Sequence, residues 1–237
     1  MIYVGIDDTD TLDTPGTNHL ARALVARVAR SWELLRITRH QLFFDPRVPY
    51  TSGNGSASIL LRPRYQMPLD GLIDELRAGM REWFKVGSDP GLCVTETVPA
   101  DVIALGRRTK DEIVRQHEAR DLARTCGIHL EGLGGTEDGV IGALAAVGLA
   151  ATGDDGRVVH IGDWPDDLAG PQPVKQIEQR GVEVRCYVTG NAVKSGAVDV
   201  GKHLRPNMSG GEIVLFVTAV PDREAGSGPN WQAVRLV

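Results

Sequence analysis

The apolar positions of this chain change period along its length, and those changes mark out its elements. Ile2, Tyr3, Val4 and Ile6, with Gly5 among them, form a short continuous run of strand length. Leu20, Leu24, Val25 and Val28 recur at helical spacing and predict an amphipathic helix over 17–31. Residues 34–44 read as a strand that Asp45-Pro46 and Val48-Pro49 break. After the turn Thr51-Ser52-Gly53-Asn54-Gly55, residues 57–61 read as a second apolar strand. Leu69, Leu72, Ile73, Leu76, Met80 and Trp83 mark another helix, and Asp89-Pro90-Gly91 turns the chain into a strand over 92–98. Strand and helix thus alternate through the first hundred residues, which predicts an α/β or α+β layer arrangement.

Further on, 109–126 reads as a charged helix. Thr109 stands as its N-cap with Glu112 three residues later, the spacing of a capping box, and Gly127 stands at its end. Residues 128–130 form a short strand, Gly132 to Gly139 a glycine-rich loop, and 140–149 a helix of small apolar residues. Strand-like runs follow at 158–161, 182–189, 213–220 and 233–237, separated by Gly, Asp and Pro. No internal repeat or low-complexity tail interrupts this pattern.

Composition narrows the class. A chain of 237 residues with 42% apolar content suits one large or two small globular domains without staples. A formal charge of −5 argues against a general nucleic-acid binder, although Arg outnumbers Lys by 21 to 5. Cys93, Cys126 and Cys186 form no CxxC pair, so a thiolate zinc site is not expected. The odd cysteine count without a signal peptide fits a cytoplasmic protein. No apolar stretch reaches the roughly 18 residues of a membrane span, so no membrane partner is expected.

The acidic loop behind the first strand carries the candidate chemistry. Asp7, Asp8 and Asp10, with Asp13 nearby, crowd carboxylates at the carboxyl end of a strand, where open α/β sheets bind ligands. Such a crowd repels itself without a cation. Hard oxygens suit Mg²⁺ shared with substrate phosphates, and such a cation offsets charge in phosphoryl transfer. Turn and cap chemistry is the plainer reading of any single Asp or Thr there. The spacing is not that of an EF-hand, because Leu12 falls where an oxygen ligand is needed.

Other motifs are less specific. Gly53-Asn54-Gly55 presents either backbone N–H groups to phosphate or a hairpin turn, and the hairpin is the better supported. Gly134 to Gly139 leads into a helix N-terminus that favours anions, but Glu137 and Asp138 occupy that position as possible caps. It lacks the Gly-Lys-Ser/Thr of a P-loop. Gly142, Ala143, Ala145, Ala146 and Gly148 allow another element to approach closely. Gly106 to Lys110 is a cationic patch ahead of a helix, read first as a solvated helix start. The six histidines show no metal-ligand spacing.

Taken in order, these motifs resemble archaeal tRNA-isoleucine agmatinylcytidine synthetase. Gly5 to Asp10, Phe44 to Tyr50, Gly53 to Gly55, Asp89 to Gly91 and Gly139 to Gly148 follow one another as they do in that family, over about residues 1–150. The resemblance implies an α+β, α/β-like sandwich: an ATP- and Mg²⁺-binding kinase-like domain at 1–100, then a ferredoxin-like domain with a β-rich tail at 101–237. It implies an ATP-dependent enzyme that activates a carbonyl oxygen by phosphorylation for attack by an amine. Asp7, Asp8 and Asp10 would hold Mg²⁺, and together with Thr17, which matches a threonine phosphorylated in the family, would be catalytic. Asp8, Thr9, Gly53, Asn54 and Gly55 would meet ATP, and Gly139 and Gly142 the substrate. The family continues into an OB-fold and a zinc ribbon that grip tRNA, for which this sequence has neither length nor cysteines. The expected partners are therefore a small amine and a carbonyl compound smaller than tRNA, with tRNA less favoured and the oligomeric state open.

Two other classes stay open at this point. Asp8-Thr9-Asp10-Thr11, with Gly162 to Asp167 as a second acidic motif, resembles haloacid-dehalogenase-like phosphatases. Asp8 would then be nucleophile and Asp10 general acid. A non-catalytic RNA-binding module on a kinase-like shell is the third, against which the acidic balance and the lack of aromatic–basic interleaving count.

Overall fold

The computed structural model describes residues 1–7, 16–47, 54–221 and 229–236. The chain divides into two compact units, Met1–Thr152 and Gly153–Val237. The boundary at 100/101 read from the sequence therefore falls inside the first unit, at the start of a helix.

The first unit runs β1 (Ile2–Asp7), α1 (Thr17–Val28), β2 (Trp32–Gln41), β3 (Gly55–Pro63), α2 (Leu69–Trp83), β4 (Gly91–Thr95), α3 (Ala100–Arg108), α4 (Gln116–Cys126), β5 (His129–Gly132) and α5 (Gly139–Thr152). Its strands lie in the order β5-β4-β1-β3-β2, and every neighbouring pair is antiparallel. Residues 2–95 are thus a β-α-β-β-α-β unit with strand order 4-1-3-2, the split βαβ arrangement of ferredoxin-like folds. The ferredoxin-like order stands before residue 100, not after it.

Alternation along β1 sorts the two faces of the sheet. A Cβ built on Gly5 would overlap the carbonyl of Ala143, so the Tyr3, Gly5 and Asp7 side faces α5. Ile2, Val4 and Ile6, all buried, face the other way. On that side α1 and α2 pack on each other, with Leu24 against Gly79 and Arg27 bonded to Glu75 and Glu82. Leu20 and Leu24 of α1 and Leu72, Ile73, Leu76 and Met80 of α2 are buried, the stripes the spacing predicts.

The other face carries α5, whose residues are buried on all sides, as its nearly all-apolar sequence requires. Small residues let its neighbours approach the backbone. Gly148 lies against the Val102 carbonyl, and a Cβ on Gly106 would meet Ala145 O and Leu149 N at 3.0 Å. The sequence pattern missed α3, and that cluster of glycines is what α3 packs into. Thr109 is not the N-cap of a long helix. It closes α3, its hydroxyl donating to Gly106 O at 2.6 Å. α4 begins seven residues later, where the Glu118 carboxylate accepts the Arg115 N–H at 3.0 Å. Gly127 ends it with φ of 64°, a left-handed C-cap as expected.

The second unit contains β6 (Arg157–Ile161), β7 (Pro171–Pro173), α6 (Val174–Glu178), β8 (Glu183–Cys186), β9 (Ala197–Asp199), β10 (Asn207–Ser209), β11 (Glu212–Ala219) and β12 (Trp231–Ala233). Its strands run β6-β10-β11-β12-β9-β7, with β8 parallel to β11. Val174, Ile177, Val182, Val184, Val198, Leu215 and Val217 form its core. Of the described residues of the predicted strand at 233–237, only Ala233 is in a strand, as the end of β12. No helix among the described residues is long and apolar enough to cross a membrane.

Candidate functional site

The strand register brings the sequence motifs to one end of the first unit's sheet. Asp7 closes β1 opposite Gly91, Gly91 pairs with Gly132, and Gly55 pairs with Gln41. β1 and β2 run parallel on either side of β3, so α1 must start at the end where Asp7 lies and return to the opposite end. Thr17, buried in the first turn of α1, belongs to that end. α5 starts there too, because it follows the carboxyl end of β5.

Gly142 and Gly139 make this convergence possible. A Cβ on Gly142 would coincide with the Asp7 carboxylate, and one on Gly139 would strike the Asp89 carbonyl. The Asp7 carboxylate therefore rests against the first turns of α5, where the helix dipole favours negative charge. The first N–H groups of α5 are already engaged: Gly139 N–H with Asp89 O, Val140 with Glu137 O, Ile141 with Asp138 O. Glu137 and Asp138 do not cap α5 with their side chains. They turn to α4, Glu137 to Arg120 and Asp138 to Gln116.

Asp89 is the residue that secures the loop, and the sequence pattern registered it only as part of a turn. Its carboxylate accepts the Thr136 N–H at 2.6 Å and the Thr136 hydroxyl at 2.7 Å. The loop is also close-packed at Gly134, against the Phe84 ring.

Asn54 and Gly55 stand at the start of β3. The Asn54 side-chain amide donates to Phe43 O at 2.8 Å, and the Asn54 backbone carbonyl accepts from Leu42 N–H and the Gln41 side chain. Gly55 lies beneath the Arg39 guanidinium. Beside them Asp45 is held at about 2 by the Arg47 guanidinium and the Arg47 N–H, well below the usual carboxylate range. The cationic patch at 106–110 ends α3 instead of preceding a helix. Arg108 pairs with Glu112 and Glu118, whereas Lys110 donates to Gln41 O at 3.3 Å, at the Asp7 end of the sheet.

A buried polar row on the α5 face completes the site. Thr38 pairs with Ser58 and His40 with Ser56 across β2 and β3, and all four are buried. His40 Nε2 lies 2.8 Å from the Ser58 hydroxyl. The only signal in the sequence was the period-two appearance of Ser56 and Ser58 in an otherwise apolar strand. Cys93 lies on the same face, but full burial raises its thiol far above the ordinary value, so it is no nucleophile.

Asp8, Thr9, Asp10 and Gly53 lie outside the described residues. Among the described residues no three His, Cys, Asp or Glu side chains form a metal-binding group. Asp7 alone fits Mg²⁺ in the manner of nucleotide sites, where one or two carboxylates and the substrate phosphates share the ion. In the second unit Asp166 is bound by both Arg205 nitrogens and Asp167 by Arg180, which stacks 4.5 Å over Trp164. The Gly162 to Asp167 motif thus carries structural ion pairs.

No protein-family model matches this chain, and no curated protein matches it significantly. Solved structures do. The structure of a tRNA fluorescent labelling enzyme matches with a TM-score of 0.54 and 26% identity, over 62% of this chain and 35% of that one. A TiaS–tRNA(Ile2)–ATP complex gives 0.51 and 26%, over 62% and 36%. Apo TiaS, a tRNA(Ile2) agmatidine synthetase, gives 0.52 and 26%, over 62% and 35%. The chain therefore has a TiaS-like mixed α and β fold, while spanning little more than a third of the solved chains it resembles.

Proposed function

We propose that this chain is an ATP- and Mg²⁺-dependent enzyme that phosphorylates a carbonyl oxygen so that an amine can replace it. The observation that supports this reading best is the meeting of Asp7, Asn54-Gly55, Asp89-Pro90-Gly91 and the start of α5 at one sheet end. It does so in a fold similar to that of a solved TiaS complex with tRNA and ATP. Solved TiaS complexes also include one with AMPCPP and agmatine, at 25% identity and a TM-score of 0.51.

In this reading Asp7, with Asp8 and Asp10, holds Mg²⁺, which when bound offsets the charge of the β- and γ-phosphates. Asp7 is positioned by Gly142 and by the α5 dipole. Lys110 adds a cation at the same end. Thr17 stands at the start of α1, at the same end of the sheet. The acceptor carbonyl oxygen forms a bond to the γ-phosphorus as the bond to the β–γ bridging oxygen breaks, and ADP leaves. The amine nitrogen then attacks the activated carbon, the carbon–oxygen bond to phosphate breaks, and the nitrogen gives up a proton.

The solved TiaS complexes with tRNA and with agmatine make tRNA and free cytidine the two acceptors to compare. γ-Labelled ATP, incubated with the chain, agmatine and either tRNA or free cytidine, is expected to yield ADP and labelled phosphate only when amine and acceptor are both present. AMP and pyrophosphate as the sole products would contradict the phosphoryl-transfer step. Labelled phosphate released from phosphomonoesters without ATP would favour the phosphatase reading of Asp8 and Asp10.

A further inference from the structure

Ser56 is fully buried, and among the described residues its hydroxyl has no hydrogen-bond partner. A buried hydroxyl left in this condition is destabilising and uncommon in folded proteins, and so calls for an explanation. Its position is specific. Ile6 pairs with Ala57 as the last pair of β1 and β3, and extending that antiparallel register by one residue would set Asp7 opposite Ser56. Opposed residues point to the same face, which here is the α5 face on which the Asp7 carboxylate rests. Ser56 also pairs with His40 on its other side, yet His40 bonds Ser58 and not Ser56. A second buried oxygen without a partner among the described residues, Asn18 Oδ1, lies in the first turn of α1 at the same end of the sheet.

We infer that Ser56 supplies a neutral oxygen ligand, beside the Asp7 carboxylate, to the divalent cation that accompanies the nucleotide. A hydroxyl and a carboxylate are the hard-oxygen pair that Mg²⁺ takes in P-loop nucleotide sites, although there the hydroxyl comes from a loop and here from a strand. The inference rests on the proposed Mg²⁺·ATP reading of this end of the sheet. It also gives a reason for a buried serine at position 56, one that the His40 bond already supplies for Ser58.

The test uses the intact chain, titrating ATP binding against Mg²⁺, Mn²⁺ and Cd²⁺ in wild type, Ser56→Ala and Ser56→Cys, with thermal melts of each without nucleotide. Ser56→Ala is expected to raise the Mg²⁺ concentration needed for ATP binding at least about tenfold. Because the hydroxyl makes no bond to the described residues, the melting temperature of this variant should be unchanged or higher. Ser56→Cys is expected to bind ATP poorly with Mg²⁺ and to recover with Cd²⁺, because a thiolate prefers the softer ion. Unchanged metal dependence in both variants, or an affinity loss matched by unfolding in the melts, would overturn the inference while leaving ATP binding by the wild type intact. Wild type that binds no nucleotide with any of the three ions overturns the functional reading itself, and the inference with it.

Discussion

Gly142 is set by Asp7. Its helix would accept any small residue, but the strand beside it carries a carboxylate where a Cβ would go. Gly142→Ala is expected to destabilise the first unit by about 1–3 kcal/mol, the range for overpacked sites, and to displace Asp7 and weaken Mg²⁺·ATP binding. Gly71, on α2 with open space around it, supplies the contrast. Gly71→Ala should stabilise by about 0.4–1 kcal/mol through the unfolded chain and leave binding unchanged. Urea melts and nucleotide titrations on the two variants check both statements, and equal effects would contradict the special role of Gly142. Asp7 was legible in the sequence because strand ends with carboxylates are recognisable. The close approach at Gly142 was legible because small residues at such spacing permit it. Ser56 was not, because its place beside Asp7 depends on a register between strands some fifty residues apart.

At the scale of elements, Asp89 fixes the loop that delivers α5 to the site. Asp89→Asn loses the charge and one of the two acceptors for Thr136, and should cost about 1–3 kcal/mol, read by urea denaturation. A change within about 0.3 kcal/mol would show that the loop is held otherwise. Glu131 ties β5 to α2 through Arg77 and also bonds His129. Burial pushes its pKa up, but the bonds from Arg77 and His129 outweigh that and lower it overall. A carboxylate lower in the folded than in the unfolded state contributes stability above its unfolded value of about 4.3, and that contribution disappears as pH falls through the folded value. Wild type should therefore lose stability more steeply than Glu131→Gln below about pH 4.3, measured by melts across that range. Parallel pH curves would contradict this assignment. The long helices α1, α2 and α5 were legible because each has a strong apolar stripe or is apolar throughout. α3 was not, because Pro99, an internal glycine and a nine-residue length give it little local signature. The Thr109–Glu112 capping box was misread for a related reason: the Thr109 hydroxyl bonds back to Gly106, so the same residue type that starts helices here ends one.

At the scale of the molecule, the order strand-helix-strand-strand-helix-strand was already present in the hydrophobic pattern of the first hundred residues. Read as topology, it specifies the 4-1-3-2 sheet found in residues 2–95. The resemblance placed the ferredoxin-like part after residue 100 because it was argued from motifs and not from element order. The division at Thr152 was less legible, since only the short turn Gly153-Asp154-Asp155-Gly156 marks it. The second unit is built of strands of three to eight residues, too short for periodicity to define. What binds the scales together is a single end of one sheet, where carboxylate, close-packed glycines and buried hydroxyl meet. Titration calorimetry of ATP into the intact chain, with and without Mg²⁺ and repeated with Asp7→Asn, tests that claim most directly. The prediction is Mg²⁺-dependent binding that weakens at least about tenfold in the variant while its melting temperature stays near that of wild type. ATP binding that ignores both Mg²⁺ and Asp7, or no binding by the wild type under either condition, would contradict it.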